Sequence, residues 1–543
     1  MPPKKKSTAD KAVQSGDLKP LSKVESVPNE VLARILGGLY PHTMVVEKQT
    51  PQKKASPGGV YRDEPCVQDM NDQVISFGWQ PERESPERSE VVSFTYHLHV
   101  ASAVCQQWRD VILHLPEYWS RVIVFVDRDV KPADIKERID RARDLPLDIL
   151  VTRSPYGGAH YDNNDNEAEI KQEKTRAKKI MKLLRPLIPR CRSFVFDVEY
   201  SSSLPFISQS FRGTAPRLRV LKLQCRVDTK DAVLPRVPKI KRKDEFIFPR
   251  LSTVVLDGAT FMDACNIPSF MRQLKDMYLD TLSISRLTAP NPDDEDEDDE
   301  YDPAGFDIYN LADHLANIGY TRHLTLAYID VAYDPGTEEG GEHQWRVDNL
   351  TIKGQDEPWV EELNCITFGS SLCYYHLINS SIYYESMMMA HHLRLEGIID
   401  FGNFGRTMER HFGNRLDIVK CNRFMDYHLD AIANGCRFLR RLYLVDCPNI
   451  TIGGLKLMLA DREALASKND ERPKGCHDTS DDVESIVEVD EEDDTQMTLS
   501  YASRLGRKTF TPIHRLHVKG HQLKLTTAEH QWFSDRLEFF SWD

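Results

Sequence analysis

Leu429-x-x-Ile432-Ala433-x-Gly435-Cys436-x-x-Leu439-x-x-Leu442-x-Leu444-x-x-Cys447-x-x-Ile450-Thr451-x-x-Gly454-Leu455 is the phrase on which the fold of this chain is decided. At its centre, Leu439, Leu442 and Leu444 stand as apolar, two spacers, apolar, one spacer, apolar. Alternate residues of a strand face the same way, so this spacing predicts a short strand with one buried face. The same rhythm recurs as Cys191-Phe194-Phe196, Leu218-Leu221-Leu223, Leu251-Val254-Leu256 and Leu274-Met277-Leu279. Weaker copies are Thr321-Leu324-Leu326 and Ala390-Leu393-Leu395, and a clear one returns at Ile513-Leu516-Val518. Successive starts lie roughly 23 to 33 residues apart, or about two to three times that where insertions intervene, a period typical of stacked repeats. Each unit predicts a strand followed by a return segment, usually helical, and stacking buries a core that no unit owns alone. Upstream, Val122–Val126 and Leu147–Val151 read as strands, and a basic segment from about Glu167 to Leu187 reads as a helix.

Working outward to the N-terminus, two amphipathic stripes stand apart. Val27, Val31, Ile35 and Leu39, with Leu32 and Leu36 beside them, recur at helical spacing. Pro28 suits a first helical turn, and Gly37, Gly38 and Pro41 close the helix. Val100, Val104, Trp108, Ile112 and Leu115 form the second stripe, which Pro116 ends before the turn Glu117-Tyr118-Trp119. Two such short helices cannot bury both stripes alone and need a body or a partner.

These residues resemble a family. Val27-Pro28-Asn29-Glu30-Val31-Leu32-x-x-Ile35-Leu36 is similar to the opening of an F-box, and Val104-Cys105-x-x-Trp108-Arg109-Asp110 with Pro116-Glu117-x-Trp119 to its second half. The Leu429–Leu459 copy is similar to the cysteine-containing leucine-rich repeat of F-box proteins, and Leu145-Pro146-Leu147-Asp148-Ile149 resembles the large F-box families of fungi. The resemblance implies an α/β chain: a small helical F-box domain, then an irregular leucine-rich-repeat solenoid with a curved parallel sheet and helices outside. It implies an adaptor of a Skp–cullin–F-box ubiquitin ligase, non-catalytic itself. Pro28, Val31, Leu32, Ile35, Leu36, Val104, Cys105, Trp108, Ile112 and Trp119 would then meet the Skp adaptor, and through it a cullin, while the repeats hold a protein target. Cys436 and Cys447 would be packing positions. A leucine-rich-repeat scaffold without ligase association is the alternative.

The expected layout is a disordered tail over 1–23, an F-box over 24–120 interrupted by a polar loop at 41–96, and repeats over 121–543. The inserted loop is far longer than the usual connection of the family, but loop-closure entropy grows only by about 0.6 kcal/mol per doubling of length. Acidic disordered insertions are expected near 291–306 and 467–498, around the runs Asp293–Glu300 and Asp490–Asp494.

Composition narrows the functional classes. A net charge of −14 opposes a general nucleic-acid role, because phosphate binding needs basic surface. No apolar stretch reaches the roughly 18 residues of a membrane span, and the start lacks the apolar centre of a secretory signal, so a cytoplasmic or nuclear protein is expected. The 11 cysteines are scattered with no C-x-x-C pair, against a disulfide framework or a zinc ribbon. Lys4, Lys5 and Lys6 are too few to define an import signal. His391 and His392 point different ways on either a helix or a strand and lack a third ligand at suitable spacing, so no metal and no cofactor is expected. Cys476-His477-Asp478 reads as loop, since consecutive side chains cannot form a relay. Tyr374-Tyr375 and Tyr383-Tyr384 fit aromatic contacts on a binding face and core packing equally well.

Overall fold

The computed structural model describes residues 28, 31–32, 103–154, 167–227, 245–288, 307–331, 345–367, 371–382, 389–470 and 510–543. The expected tail at 1–23, the loop at 41–96, the acidic insertion at 291–306 and the motifs at Lys4–Lys6, Cys476–Asp478 and Tyr383–Tyr384 lie outside these residues. The chain divides into two compact units. The first holds the described residues up to Val122 with Lys131–Leu145, and the second holds Ile123–Val130, Pro146–Ser154 and the described residues from 167 onward.

The first unit is helical. Its helices are α1 (Gln106–His114), α2 (Pro116–Trp119) and α3 (Pro132–Arg141). Pro116 and Pro132 occupy first turns, where a missing N–H costs nothing. Pro116 therefore ends one helix and opens the next rather than starting a bare turn.

The second unit is α/β and is organised by a 14-stranded sheet whose strands stand in chain order. They are β1 (Arg121–Phe125), β2 (Leu147–Thr152), β3 (Cys191–Tyr200), β4 (Val220–Val227), β5 (Thr253–Asp257), β6 (Leu279–Thr288) and β7 (Thr321–Asp330), followed by β8 (Val347–Lys353), β9 (Ser371–Ile378), β10 (Met389–Glu396), β11 (Arg415–Val419), β12 (Arg441–Val445), β13 (Arg515–Lys519) and β14 (Phe539–Trp542). Pairings from β2 to β14 are parallel. Parallel neighbours need a crossover, and an order that never turns back lets crossovers of one hand lay the described return helices on one face.

Those return segments include α4 (Glu167–Leu184), α5 (Gly258–Cys265), α6 (Pro268–Lys275), α7 (Ile308–Ala316), α8 (Glu357–Ile366), α9 (Phe404–Arg410), α10 (Asp426–Gly435), α11 (Ile452–Asp470) and α12 (Thr527–Ser534). Their starts are written locally. Asp307 and Asp356 cap α7 and α8 through their carboxylates, and Thr526 with Glu529 forms a capping box on α12.

Register follows the leucine rhythm. Leu221 pairs with Phe194 and Val254, Val254 with Leu282, and the row continues through Leu324, Leu350, Tyr375, Leu393, Leu416 and Leu442 to Leu516. No side chain in that row is more than 1% exposed, which is what a one-residue slip would destroy. From β6 to β13 each strand carries the same left-handed step, two residues past the second inward residue of its core pair. It lies inside β6 and β7, which run two residues further, and just beyond the end of β8 to β13. The step falls at Arg286, Tyr328, Gly354, Asn379, Gly397, Lys420, Asp446 and Gly520. Their N–H groups extend the ladder, with Asn379 donating to Glu396 O at 2.8 Å and Gly397 to Val419 O at 2.9 Å.

Three expectations need correction. The phrase Leu274-Met277-Leu279 is out of register: Leu274 closes α6, and the strand carries Leu279-Leu282-Ile284 instead. The rhythm at Val347-Leu350-Ile352, Leu372-Tyr375-Leu377 and Leu416-Ile418 also forms strands that the leucine count missed. The insertion expected from 467 begins inside α11, which is helical to Asp470; its remainder lies outside the described residues.

Candidate functional site

In the first unit Leu32 of the first N-terminal stripe meets the second stripe. Leu32 is 1% exposed and lies in one cluster with Val111, Ile112 and Tyr118, against which Trp108, Leu115 and Trp119 pack. A helical turn brings it there, since Leu32 N–H donates to Pro28 O at 3.0 Å. Cys105 caps α1, its Sγ accepting from Trp108 N–H at 3.5 Å. Trp119 Nε1 donates to Ile112 O at 3.0 Å, and the Arg141 guanidinium stacks 4.4 Å over the Trp119 ring. The expected docking residues thus divide. Leu32 and Ile112 are internal packing, whereas Pro28 is exposed and Val31 and Val104 are 46% and 53% exposed. Trp108 is half-buried, and its buried Nε1 has no partner among the described residues. Ile35 and Leu36 lie outside those residues.

A second concentration of functional groups lies on the face of the sheet opposite the leucine row. Strand parity sends Tyr374 and His376 of β9, His392, Arg394 and Glu396 of β10, Arg415 and Asp417 of β11, and Arg441 and Tyr443 of β12 to that face. Arg415 grips Asp417 in a two-point contact, Nε to Oδ1 at 2.8 Å and Nη2 to Oδ2 at 3.0 Å, and its guanidinium stacks 4.2 Å over Tyr443. His392 Nε2 lies 3.0 Å from Asp417 Oδ2, off the line of a good hydrogen bond, and its ring meets Tyr374 edge-on at 4.6 Å. Glu396 gathers Arg394 Nη2 at 2.9 Å, Lys420 Nζ at 3.0 Å and His376 Nε2 at 3.4 Å.

The electrostatics follow from this packing. Burial alone would raise the Asp417 carboxyl, but His392 and Arg415 outweigh it and hold the group at about 2. Contact with His376 leads in holding Glu396 well below the usual carboxylate range, with burial opposing and Lys420 and Arg394 assisting. Burial pushes His376 and His392 down despite their carboxylate neighbours, so both imidazoles are neutral near pH 7. No group of three metal-capable side chains occurs among the described residues. His391 is exposed and turned from His392, while Tyr375 is core and Tyr374 belongs to the polar face. The expected separation of each pair is what the strand delivers.

Sequence reasoning missed a buried cation. Arg462 of α11 is 1% exposed, and its guanidinium donates to the carbonyls of Ile432, Ala433, Arg437, Leu439 and Thr511 at 2.9–3.3 Å. Ile432 and Ala433 lie in the last turn of α10, where carbonyls are left without helical donors. The signal was legible: Arg462 sits three residues past Leu459 and four past Met458, on the buried stripe of α11.

Among the described residues no helix is long and apolar enough to cross a membrane. Comparison with protein-family models and with curated proteins finds no significant match to the chain.

Proposed function

We propose that this chain is the substrate-recognition subunit of a Skp–cullin–F-box ubiquitin ligase. The first unit is then the F-box that meets the Skp adaptor, and the parallel strand array is a leucine-rich-repeat solenoid that holds a target protein. Its mechanism is proximity: a target lysine held beside an activated thioester on another subunit reacts at raised effective concentration. The observation that carries this reading is the packing of Leu32 against Val111, Ile112 and Tyr118. Leu32 of the first stripe and the second stripe, far apart along the chain, thereby share one small helical core within the first unit. Val31 and Val104 remain as exposed apolar side chains there, a reason for such a unit to have a partner.

Co-expression with a Skp adaptor followed by gel filtration tests the reading. Wild type is expected to elute as a stable complex. Val31→Asp with Val104→Asp is expected to abolish co-elution while leaving the circular dichroism spectrum unchanged, because each charge enters the interface and not the core. Leu32→Asp is a poor probe, since it would unfold the unit. A wild-type chain that ignores every adaptor tried would hand the assignment to a repeat scaffold without ligase association.

A further inference from the structure

The polar face of the C-terminal strands is built around cations. Its strand positions from β10 to β13 carry Arg394, Arg415, Arg441, Arg515 and Lys519 against the carboxylates Glu396 and Asp417. This excess lies on a chain whose net charge is −14. Arg415, Arg441 and Arg515 stand directly beside one another in register on β11, β12 and β13. Parallel strands run about 4.8 Å apart, so the three form a row roughly 10 Å long across the strands. The row is preorganised from below. Asp417, 3% exposed, fixes Arg415 from one side and Tyr443 supports it from the other. That grip uses Nε and Nη2 and leaves Nη1 with no partner among the described residues. Arg441 has no carboxylate partner among them either.

We propose that this face of β10–β13 binds an extended, acidic segment of a partner protein. The proposal rests on the reading above for calling that partner a degradation target, and on the geometry alone for the chemistry of what binds. Alternate side chains of an extended peptide repeat about every 7 Å on one side, so a segment laid across the strands places successive carboxylates over the arginine row. Arg415, already held in position by Asp417 and Tyr443, loses little rotamer freedom on binding. Nucleic acid fits less well, because Arg415 covers the Tyr443 ring on which a base would stack.

Fluorescence anisotropy with the full chain and a labelled twelve-residue peptide of alternating glutamate and serine tests this. Saturable binding is expected, weakening at least tenfold when glutamine replaces glutamate and falling steeply with added salt. Arg441→Gln with Lys519→Gln is expected to weaken binding about tenfold, whereas Arg272→Gln on α6 removes an exposed cation elsewhere and changes nothing. Equal affinity for the glutamine peptide, indifference to Arg441→Gln with Lys519→Gln, or tighter binding of oligouridylate would each overturn the proposal. So would a need to delete 478–494 before the peptide binds, because the chain's own acidic run would then be the occupant. The Skp complex is scored separately, so loss of one result leaves the other standing.

Discussion

The strands β3–β8 and β9–β13 carry the same core on one face and different chemistry on the other. On the helix side both halves show the leucine row without a break. On the opposite face the earlier strands present mainly Ser193, Val195, Thr253, Val255, Thr281, Ser283 and Thr325, with Asp197, Lys222 and His323 scattered among them, whereas the later ones gather tyrosine, histidine and arginine side by side. Stacking demands only that the inward positions fill a common core, so the outward positions are released to vary with what they meet. Even the cores differ in how they close. The N-terminal side is filled by an aromatic chain, Phe194, Phe211, Phe246, Phe248 and Phe270, with successive centroids 4.8–5.4 Å apart. The C-terminal side has a ring cluster of its own, Phe401, Phe404, Phe424 and His428 with centroids 4.9–5.6 Å apart, and adds the buried Arg462 with its carbonyls.

The comparison is broken most directly by emptying one core. Phe248→Ala removes a ring with no exposed surface from the middle of the aromatic chain, and is expected to cost about 3–5 kcal/mol. Hydrogen exchange should then speed up in β3–β6 while β11–β13 keep their protection, because repeat arrays couple mainly to nearest neighbours. Uniform loss across all strands would show that the two halves are one cooperative block. Arg462→Met is the converse experiment. It leaves buried carbonyls without donors, each such group costing about 1–3 kcal/mol, for an expected loss of about 3 kcal/mol. Protection should fall in β11–β13 first.

Acid separates the halves by sign. Asp417 is held at about 2 against an ordinary 3.8, so it contributes stability above pH 4 that is lost as pH falls toward 2. The contribution is on the order of 2 kcal/mol. In the earlier half, burial raises Asp263 against the hydrogen bonds of Ser208, and burial likewise raises Glu173. These groups bind protons more readily folded than unfolded, so the same acidification favours their surroundings. Urea unfolding of wild type and Asp417→Asn should differ at pH 6 and converge by about pH 2. For Asp263→Asn the variant should gain on wild type as pH rises, and parallel curves for both would dissolve the contrast.

Which parts of this were legible in the sequence depends on what each position must satisfy. Strands whose inward residues are leucines announced themselves, as at Leu439-Leu442-Leu444. Tyr375 hid β9 because a tyrosine occupies an inward position, with its hydroxyl 3.4 Å from Asn364 Oδ1 inside the core. The slip at Leu274 arose because a helix ending on an apolar residue imitates the first beat of the phrase. Of the docking residues, spacing identified which side chains share a stripe but not which half of the stripe faces inward. Leu32 and Val31 are neighbours in sequence and opposite in exposure. The charged face was invisible as a unit, since His376, His392, Asp417 and Tyr443 are joined only by register between strands.

The smallest expected effect concerns the left-handed steps, and it shows how tightly consecutive units are fitted. Gly397 adopts φ +63, and a Cβ built there would stand 2.1 Å from Oδ1 of Asn379, the equivalent step of the preceding strand. Gly397→Ala must therefore carry both an unfavourable backbone conformation and displacement of a neighbouring side chain, about 1–2 kcal/mol together. Lys420, the next step, shows that a side chain is tolerated at φ 53 when it projects clear and finds a carboxylate, here Glu396. The two positions differ in the neighbour and not in the backbone. Gly397→Ala combined with Asn379→Gly should accordingly recover most of the neighbour's share of the loss in urea unfolding. If the double variant is no more stable than Gly397→Ala, the backbone conformation alone sets the cost and the steps are independent of one another.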